Sequence, residues 1–363
     1  MKVARIVVFG PNLAVDRTVA VGDFQAGRVF RTDQTLTVAG GKGANVARAV
    51  KALGGEPHLV GLVAGWTGRF IRDDLEREGI PATLVEVDGL SRTCTLVVDP
   101  RNGETTIINE EGQLHADARR VEELAAALER LAGEADVVVC SGSLPLTLPR
   151  DFYARVLQAA RRAGARTLLD SSKEPLLLGL RARPHLIKPN RQELFELAAQ
   201  LGEQGILPAG ERPVTQSGER TLDEPQAGDE QRLVRAARTV LGWGPQAAVV
   251  SLGSAGALAV DAAGAWRVVA PRVAVVDPVG AGDSMVAALA LGLARGMALA
   301  ELTAFGVAAG TADVTTFGGG LVTAEAVAAL QAGVTVTPLP AKAALAGATG
   351  STAPAPWPGG LRA

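Results

Sequence analysis

The chain has 363 residues, of which 47% are apolar, and a formal net charge of −2. This length suffices for a large α/β fold with a sizeable core, and the absence of a basic stripe argues against nucleic acid or an anionic membrane as a partner. Two cysteines are too few for a disulfide framework, and three dispersed histidines give no metal-ligand spacing. The first apolar run breaks at Gly10-Pro11, too early for a signal peptide, so we expect a cytoplasmic protein.

Short β-rich apolar runs alternate along the chain with stretches of helical period. The strand-like runs are residues 5–10, 93–98, 136–142, 166–172, 185–190 and 247–253, and the helical stretches include 43–55, 119–135, 149–165 and 191–201. Several runs are apolar at consecutive positions, which is typical of strands buried on both faces of a parallel sheet. The pattern predicts a doubly wound α/β fold with a mostly parallel central sheet.

Other segments break this alternation. Residues 16–38 and 88–110 are more polar and Thr-rich, and they predict antiparallel strands that stand off the main sheet as a lid. Residues 202–230 are rich in Gly, Pro, Gln and Glu, which predicts a loop insertion. We therefore expect one domain over residues 1–337, followed over 338–363 by an Ala/Pro/Gly-rich disordered tail.

Functional residues of such sheets lie at the carboxyl ends of the strands, and two of these ends carry small polar residues. Residues 38–55, VAGGKGANVARAVKALGG, surround Lys42 with glycines before a helix, where amides and a lysine could bind an anion or a polyol. The alternative is a turn that only packs closely. The run ending at Ser141 offers hydroxyls and amides that either bind a substrate or turn the chain.

Two further strand ends lead into a helix and a Gly-rich turn. Asn190 and Glu193 stand three residues apart at a helix start, which fits an ordinary capping box or a contact to a nucleotide or metal. The turn from Ser251 to Gly256 could contact a nucleotide's sugar or base. The sequence lacks G-x-G-x-x-G after its first strand and G-x-x-x-x-G-K-[ST] throughout, which argues against a dinucleotide-binding enzyme and a P-loop.

The stretch DPVGAGDSMVAALALGLARG, residues 277–296, places Asp283 between a Gly-Ala-Gly turn and an almost wholly apolar helix. Amides at such a buried helix N-terminus would converge as an anion hole. Asp283 could cap the helix, or it could accept a hydroxyl proton while the amides hold a phosphoryl group. Because no histidine offers a better general base, Asp283 is the best candidate.

GGKGANVARAVKALGG and DPVGAGDSMVAALALG closely resemble the two signature motifs of the phosphofructokinase B, or ribokinase-like, sugar kinases. The resemblance covers about residues 3–335. The segments PNLAVDRTV, AGRVFR, SRT, INEEG, SGSLP, DSS and KPN are most similar to the 1-phosphofructokinase and tagatose-6-phosphate kinase branch. The resemblance implies a Rossmann-type three-layer sandwich with a small β-lid, and a kinase that uses ATP and Mg²⁺.

The resemblance also implies a role for each matching residue. Asp283 would be the general base, beside an anion hole formed by Gly280, Ala281 and Gly282. The sugar phosphate would contact Asp16, Gly40, Gly41, Lys42, Asn45, Arg92 and Ser141, with Lys42 and Arg92 suited to its existing phosphate. ATP would contact Lys188, Asn190, Ser251, Leu252, Gly253, Ser254, Ala255, Gly256 and Gly282, and Glu193 would act on Mg²⁺ through water.

These roles predict phosphorylation of the C6 hydroxyl of D-fructose 1-phosphate by ATP, which gives fructose 1,6-bisphosphate. Tagatose 6-phosphate and fructose 6-phosphate are the nearest alternative substrates. Arg92 argues against a free-sugar or nucleoside kinase, and the intact Asp283 motif argues against a non-catalytic sugar-phosphate or nucleotide sensor. A lid strand with an exposed apolar face would favour a homodimer.

Four segments depart from the family pattern. Leu146-Thr147-Leu148 and Lys173 stand where the family tends to have glycine, residues 202–230 look inserted, and residues 315–320 read TTFGGG near the expected adenine pocket. The first three affect the rim of the substrate site and the nucleotide edge, and the fourth leaves the adenine contacts unassigned.

Overall fold

A computed structural model describes residues 3–101, 103–202 and 229–340. The strands in chain order are β1 (Arg5–Asn12), β2 (Ala14–Ala20), β3 (Thr35–Gly40), β4 (Glu56–Val63), β5 (Ala82–Glu86), β6 (Asp88–Leu90), β7 (Arg92–Val98), β8 (Thr105–Asn109), β9 (Gln113–His115), β10 (Val137–Ser141), β11 (Arg166–Asp170), β12 (Leu186–Ile187), β13 (Ala247–Ser251), β14 (Ala257–Asp261), β15 (Ala265–Val269) and β16 (Thr335–Pro338). The α-helices are α1 (Lys42–Ala52), α2 (Gly65–Arg77), α3 (Ala118–Ala132), α4 (Phe152–Arg162), α5 (Lys173–Gly179), α6 (Arg191–Gln200), α7 (Asp229–Leu241), α8 (Ala281–Ala294), α9 (Leu299–Asp313) and α10 (Ala324–Gln331).

The central sheet has ten strands in the order β16-β15-β14-β13-β12-β11-β10-β1-β4-β5. Neighbouring strands run parallel from β13 to β5, whereas β14, β15 and β16 pair antiparallel at the other edge. The predicted α/β class with a mostly parallel sheet is therefore confirmed. All carboxyl ends of the parallel strands meet at one edge of the sheet, which is where ligands bind in such folds.

Both faces of the central sheet are covered. In β1, Val7 and Phe9 pack into one apolar cluster with α3, α4, α6 and α7, while Ile6 and Val8 pack into a second cluster with α1, α8 and α9. Because both faces are buried, the parallel strands are apolar at consecutive positions. Helices α8 and α9 are buried over most of their residues, which explains why their sequences lack a polar face.

The two segments predicted to form a lid build a separate four-stranded sheet in the order β3-β2-β7-β8. The pairs β2–β3 and β7–β8 are antiparallel, as expected. The pair β2–β7 is parallel, from Ala14 opposite Arg92 to Ala20 opposite Val98, so the expectation of antiparallel pairing was wrong there. The chain between these two strands passes through α1, β4, α2 and β5, and such a long crossover permits parallel pairing.

Several predicted boundaries change in the structure. Only Leu186–Ile187 of the strand expected at 185–190 is regular, because Pro189 has no amide to donate to a ladder. At the chain's far end, β16 includes Pro338, and the Leu339 amide donates to the Ala265 carbonyl at 2.8 Å. Most of the expected insertion, residues 203–228, and the rest of the expected tail, residues 341–363, lie outside the described residues. In the part described, no helix is long and apolar enough to cross a membrane.

Candidate active site

A cavity of about 350 Å³ opens at the carboxyl edge of the parallel strands. Its walls include five residues predicted to bind substrate, nucleotide or metal, namely Lys42, Arg92, Ser141, Asn190 and Glu193. A larger cleft of about 560 Å³ lies elsewhere, lined by residues such as His185 and Asp261, and none of the predicted site residues lines it. The chemistry-bearing side chains therefore converge on the smaller cavity.

The turn before α8 has the geometry of an anion site. Gly280 is the N-cap with φ of 98°, and a Cβ there would lie 2.4 Å from the Cα of Gly319, so only glycine fits. The amides of Ala281 and Gly282 occupy the first two helical positions, which have no acceptor within the helix. The Asp283 amide donates to the Gly280 carbonyl at 2.8 Å. The first two amides are thus the ones that a bound anion would meet.

The Asp283 carboxylate is 7% exposed and accepts a hydrogen bond from Asn45 Nδ2 at 2.9 Å. It does not cap the helix, because Gly280 holds that position. Arg48 Nη1 donates to Asn45 Oδ1 at 3.1 Å, which orients the amide so that its nitrogen faces the carboxylate. Burial raises the pKa of Asp283 to about 6, against the opposing charge of Lys42. A carboxyl with this pKa suits a general base near neutral pH.

Asp170, at the end of β11, was not among the predicted site residues. Lys42 Nζ lies 3.2 Å from its Oδ2 and Lys188 Nζ lies 3.0 Å from its Oδ1. Ser141 Oγ also donates to Oδ2, at 3.1 Å, so the predicted substrate-binding hydroxyl is engaged by this carboxylate. Burial would raise the pKa of Asp170, but Lys188 and Lys42 outweigh it and hold the pKa at about 2. The sequence feature that could have identified Asp170 is a lone carboxylate directly after an apolar strand.

Asp16 on β2 fits against the Gly-rich turn from β3 to α1. Its Oδ2 accepts the Gly41 amide at 3.2 Å, and a Cβ on Gly40 would lie 1.9 Å from its Cγ. Burial raises the pKa of Asp16, while the Gly41 amide and Arg92 act in the opposite direction. The close approach explains why a glycine precedes Gly41, since any side chain at residue 40 would displace the carboxylate.

Arg92 begins β7 and reaches the cavity from the lid sheet. Its Nη1 donates to Cys94 Sγ at 3.1 Å, and its buried Nε has no hydrogen-bond partner within the described ranges. A guanidinium without a carboxylate partner can bind an anionic substrate group. Asn12 also lines the cavity and donates through Nδ2 to Ser143 Oγ at 2.8 Å, although no motif around it predicted a role in the site.

The predicted nucleotide residues follow β12 and β13. Asn190 and Glu193 form the capping box that was one of the two sequence interpretations, with both backbone-to-side-chain distances at 2.8 Å. Ser251 pairs with Asn190 as an isolated bridge, which brings the Gly253–Ala255 turn beside the cavity. The Leu252 side chain is 2% exposed and packs into the core, so only its backbone is placed to contact a nucleotide.

Glu193 fits a role near Mg²⁺ because its carboxylate lies on the cavity wall. The capping box uses Oε2, and burial raises the pKa of the carboxyl against the charges of Lys42 and Lys188. Among the described residues, no group of three or more His, Cys, Asp or Glu is arranged to hold a metal ion. The single carboxylate of Glu193 is compatible with Mg²⁺, which keeps several waters and is usually held by one or two carboxylates plus phosphates.

Two departures from the family pattern lie on the rim. Lys173 adopts φ of 55°, a left-handed conformation that glycine accommodates more readily. Leu146, in the segment after Ser141, is 81% exposed. The backbone at residue 173 therefore adopts a conformation that suits glycine although the residue is lysine.

Comparison with known proteins assigns the family. The sequence model described as pfkB family carbohydrate kinase matches residues 3–326. The chain belongs to this family. It is an ATP-dependent sugar kinase, within a family that generally uses ATP and Mg²⁺.

Individual pfkB relatives agree with this assignment. A 1-phosphofructokinase of Bacillus subtilis is 32% identical over 90% of this chain and 98% of the relative. A tagatose-6-phosphate kinase of Staphylococcus epidermidis is 32% identical over 78% of this chain and 83% of the relative. A structure of phosphofructokinase-2 from Escherichia coli in complex with fructose-6-phosphate has a TM-score of 0.73 and 28% identity, covering 92% of this chain and 99% of the other. The predicted ribokinase-like fold and the predicted branch of the family are confirmed.

Proposed function

We propose that this pfkB kinase phosphorylates the C6 hydroxyl of D-fructose 1-phosphate, with Asp283 as the general base. The observation that carries the proposal is the buried Asp283 carboxylate, hydrogen-bonded to Asn45, directly after the anion-binding turn of α8. Lys42 and Arg92, which line the neighbouring cavity, supply the positive charge that binds the phosphate already present on the sugar substrate.

The proposed reaction moves one proton and one phosphoryl group. The C6 oxygen attacks the terminal phosphorus of ATP, the bond from that phosphorus to ADP breaks, and the hydroxyl proton passes to Asp283. Oδ2 is engaged by Asn45, so Oδ1 is the oxygen left to receive the proton. The amides of Ala281 and Gly282 stabilise charge on the transferred group, because phosphoryl transfer depends mainly on positioning and electrostatic stabilisation.

Glu193 would hold Mg²⁺ through water, and the bound ion would neutralise charge on the phosphates of ATP. Lys188 lies on the same side, and the Cα of Gly282 is close enough that a Cβ there would be 3.8 Å from Lys188 Nζ. This proximity places a positive charge beside the proposed phosphoryl site. The turn from Ser251 to Gly256 would contact the nucleotide through its backbone.

The choice of sugar phosphate rests on the sequence of the site and on named relatives. Relatives named 1-phosphofructokinase and tagatose-6-phosphate kinase both match most of this chain. Both are about equally identical, so tagatose 6-phosphate and fructose 6-phosphate remain the alternative acceptors. Arg92 and Lys42 favour a phosphorylated acceptor over a free sugar.

A coupled ADP-release assay with Mg-ATP tests the substrate. We expect kcat/KM to be highest for fructose 1-phosphate among fructose 1-phosphate, fructose 6-phosphate, tagatose 6-phosphate and free fructose. A preference for a 6-phosphate would keep the mechanism and overturn the named substrate. Ligand binding without turnover of any acceptor would instead support a sensor.

The lid sheet also supports the proposal of a homodimer. Ile107 and Ile108 on β8, at the edge of the lid sheet, are 46% and 57% exposed. An exposed apolar edge strand pairs readily with a second chain. Light scattering on wild type and Ile108→Glu tests this: a dimer that becomes a monomer in the variant supports the lid interface, and a wild-type monomer rejects it.

A further inference from the structure

A second buried carboxylate, Asp313, lies behind the anion-binding turn of α8. It is the last residue of α9, it is 0% exposed, and its Oδ1 accepts a hydrogen bond from Ser284 Oγ at 3.0 Å. Its Oδ2 makes no hydrogen bond of normal geometry in the described part of the chain, and the Gly320 amide is the donor that faces the carboxyl. A Cβ placed on Gly280 would lie 2.6 Å from that Oδ2, so the carboxyl packs directly against the turn.

We propose that Asp313 carries a proton in the active enzyme and that its ionised form weakens binding of the transferring phosphoryl group at Ala281 and Gly282. Asp313 is thus a positioning residue that acts through the turn, and this inference rests on the proposed function. The physical reason is competition between anions. The positive end of α8 and its free amides favour one anion, and a fixed negative charge behind Gly280 reduces the potential that a phosphoryl group would meet.

Asp283 makes the proton on Asp313 necessary. A general base must be ionised before it can accept the hydroxyl proton, so the turn already carries one buried negative charge in the reactive state. Two carboxylates that share a site in low dielectric do not ionise together without a large cost. A neutral Asp313 can still accept from Ser284 and hold the turn, since a carboxylic acid keeps acceptor capacity.

The charged groups around Asp313 support this order of ionisation. Burial raises the pKa of Asp313 to about 7, with further increases from Asp283 on α8 and Asp277 in the preceding loop, while Ser284 and the Gly320 amide lower it. Lys42 and Asn45 favour the ionised form of Asp283, whereas no cation among the described residues acts on Asp313, so Asp283 is the carboxyl of the two that ionises more readily. The pKa values of the two carboxyls describe a coupled pair and not independent sites.

Charged residues on the other elements packed near Asp313 have partners of their own or lie at the surface. Arg48 on α1 reaches the Gly319 carbonyl at 3.4 Å but is paired with Glu78 at 2.7 Å. Arg267 on β15 pairs with Glu230 at 3.1 Å, and Glu325 on α10 is exposed. Asp261 ends β14 at the opposite edge of the sheet. Among the described residues, no unpaired cation thus lies close to Asp313. The charged groups that act on it are the carboxyl groups of Asp283 and Asp277.

The pH profile of kcat/KM for ATP tests the inference, measured with fructose 1-phosphate saturating. The kcat/KM of the wild type should rise with pH as Asp283 ionises. It should then fall by roughly tenfold as Asp313 ionises. Asp313→Asn should keep the rising limb and lose the falling limb. Ser284→Ala should move the falling limb to higher pH, because the lost hydroxyl had favoured the charged carboxylate. Asp261→Asn, a matched change at the opposite edge, should reproduce the wild-type profile.

Infrared spectroscopy supplies a readout that does not need turnover. Between the two pKa values, the wild type should show a carboxylic-acid carbonyl band that is absent from Asp313→Asn. Loss of the band with loss of the falling limb supports the inference. An unchanged band, a wild-type profile without a falling limb, or a falling limb retained in Asp313→Asn overturns it. If no acceptor turns over, the proposed function fails, and the infrared band alone decides whether Asp313 holds the proton.

Discussion

The end of β11 and the first turn of α8 each bury one carboxylate at the same edge of the sheet, yet their acidities move in opposite directions. Two lysines hold the pKa of Asp170 at about 2 despite its burial. Asp283 has an amide as its hydrogen-bond partner instead of a lysine, and burial raises its pKa to about 6. The charge partners, and not the depth of burial, separate a permanent counter-ion from a group that can exchange a proton at neutral pH.

The largest effect should come from removing the exchangeable carboxylate. Asp283→Asn should lower kcat by about 10²- to 10⁴-fold, because the hydroxyl proton loses its acceptor, while KM for ATP stays within about twofold. Steady-state kinetics with the preferred acceptor measure both constants, and Asp151→Asn at the half-buried start of α4 is a matched control. Near-normal turnover in Asp283→Asn would remove Asp283 from the role of base.

Replacing Asp170 should lower the stability of the fold more than it lowers kcat. Asp170→Asn leaves Lys188, 5% exposed, without its counter-ion, and we expect the free energy of unfolding to fall by about 3 kcal/mol. The folded pKa lies below the ordinary value of 3.8, so the contribution is present above that pH and is lost as pH falls toward 2. Urea titrations between pH 2 and pH 7 should therefore show a flatter acid limb in the variant.

Asp283 should show the reverse sign in the same urea titrations. Its folded pKa is raised, so the folded state favours the protonated form, and the free energy of unfolding falls as pH rises from 3.8, the ordinary value, to about 6. Asp283→Asn should accordingly be more stable than wild type above that pH, by up to about 3 kcal/mol. Equal pH dependence of the two variants would contradict the contrast between the two carboxylates.

The comparison also separates the cations of the site. Lys42 and Lys188 are paired with Asp170, whereas Arg92 has no carboxylate within hydrogen-bonding distance in the described structure and should bind the substrate's existing phosphate. Arg92→Ala should raise KM for the sugar phosphate by about 10- to 100-fold and change KM for ATP little. Arg17→Ala, an exposed arginine on β2 of the same lid, is the control. Equal increases in both KM values would count against the assignment.

The smallest effect should come from replacing Asn45, the hydrogen-bond partner of Asp283. Asn45→Ala removes the hydrogen bond that lowers the pKa of Asp283, so the rising limb of the pH profile should move to higher pH and kcat should fall about five- to tenfold. Asn12→Ala, at a cavity residue that donates to Ser143 and not to Asp283, should leave the position of that limb unchanged. If Asn45→Ala raises KM for the sugar without moving the limb, Asn45 contacts the sugar and does not tune the base.

Prediction from the sequence was most successful for features that a short contiguous segment forms by itself. The apolar runs predicted most of the parallel strands. The Gly-Ala-Gly turn before Asp283 predicted the candidate anion site, because free amides at a helix N-terminus follow from the local sequence. The parallel pairing of β2 with β7 was not predictable in this way. It depends on where two strands far apart in the chain are carried by the elements between them.

The sequence by itself determined the α/β class, the kinase family and the set of side chains that could do phosphoryl chemistry, since each depends on periodicity or on a contiguous motif. Only the tertiary structure decided which charges face one another. It joined Asp170 to Lys42 and Lys188, gave Asn45 to Asp283, and placed Asp313 behind Gly280. Electrostatic energies depend on distance and burial between residues remote in the chain, so the acidity of each carboxylate could not be read from its neighbours in sequence.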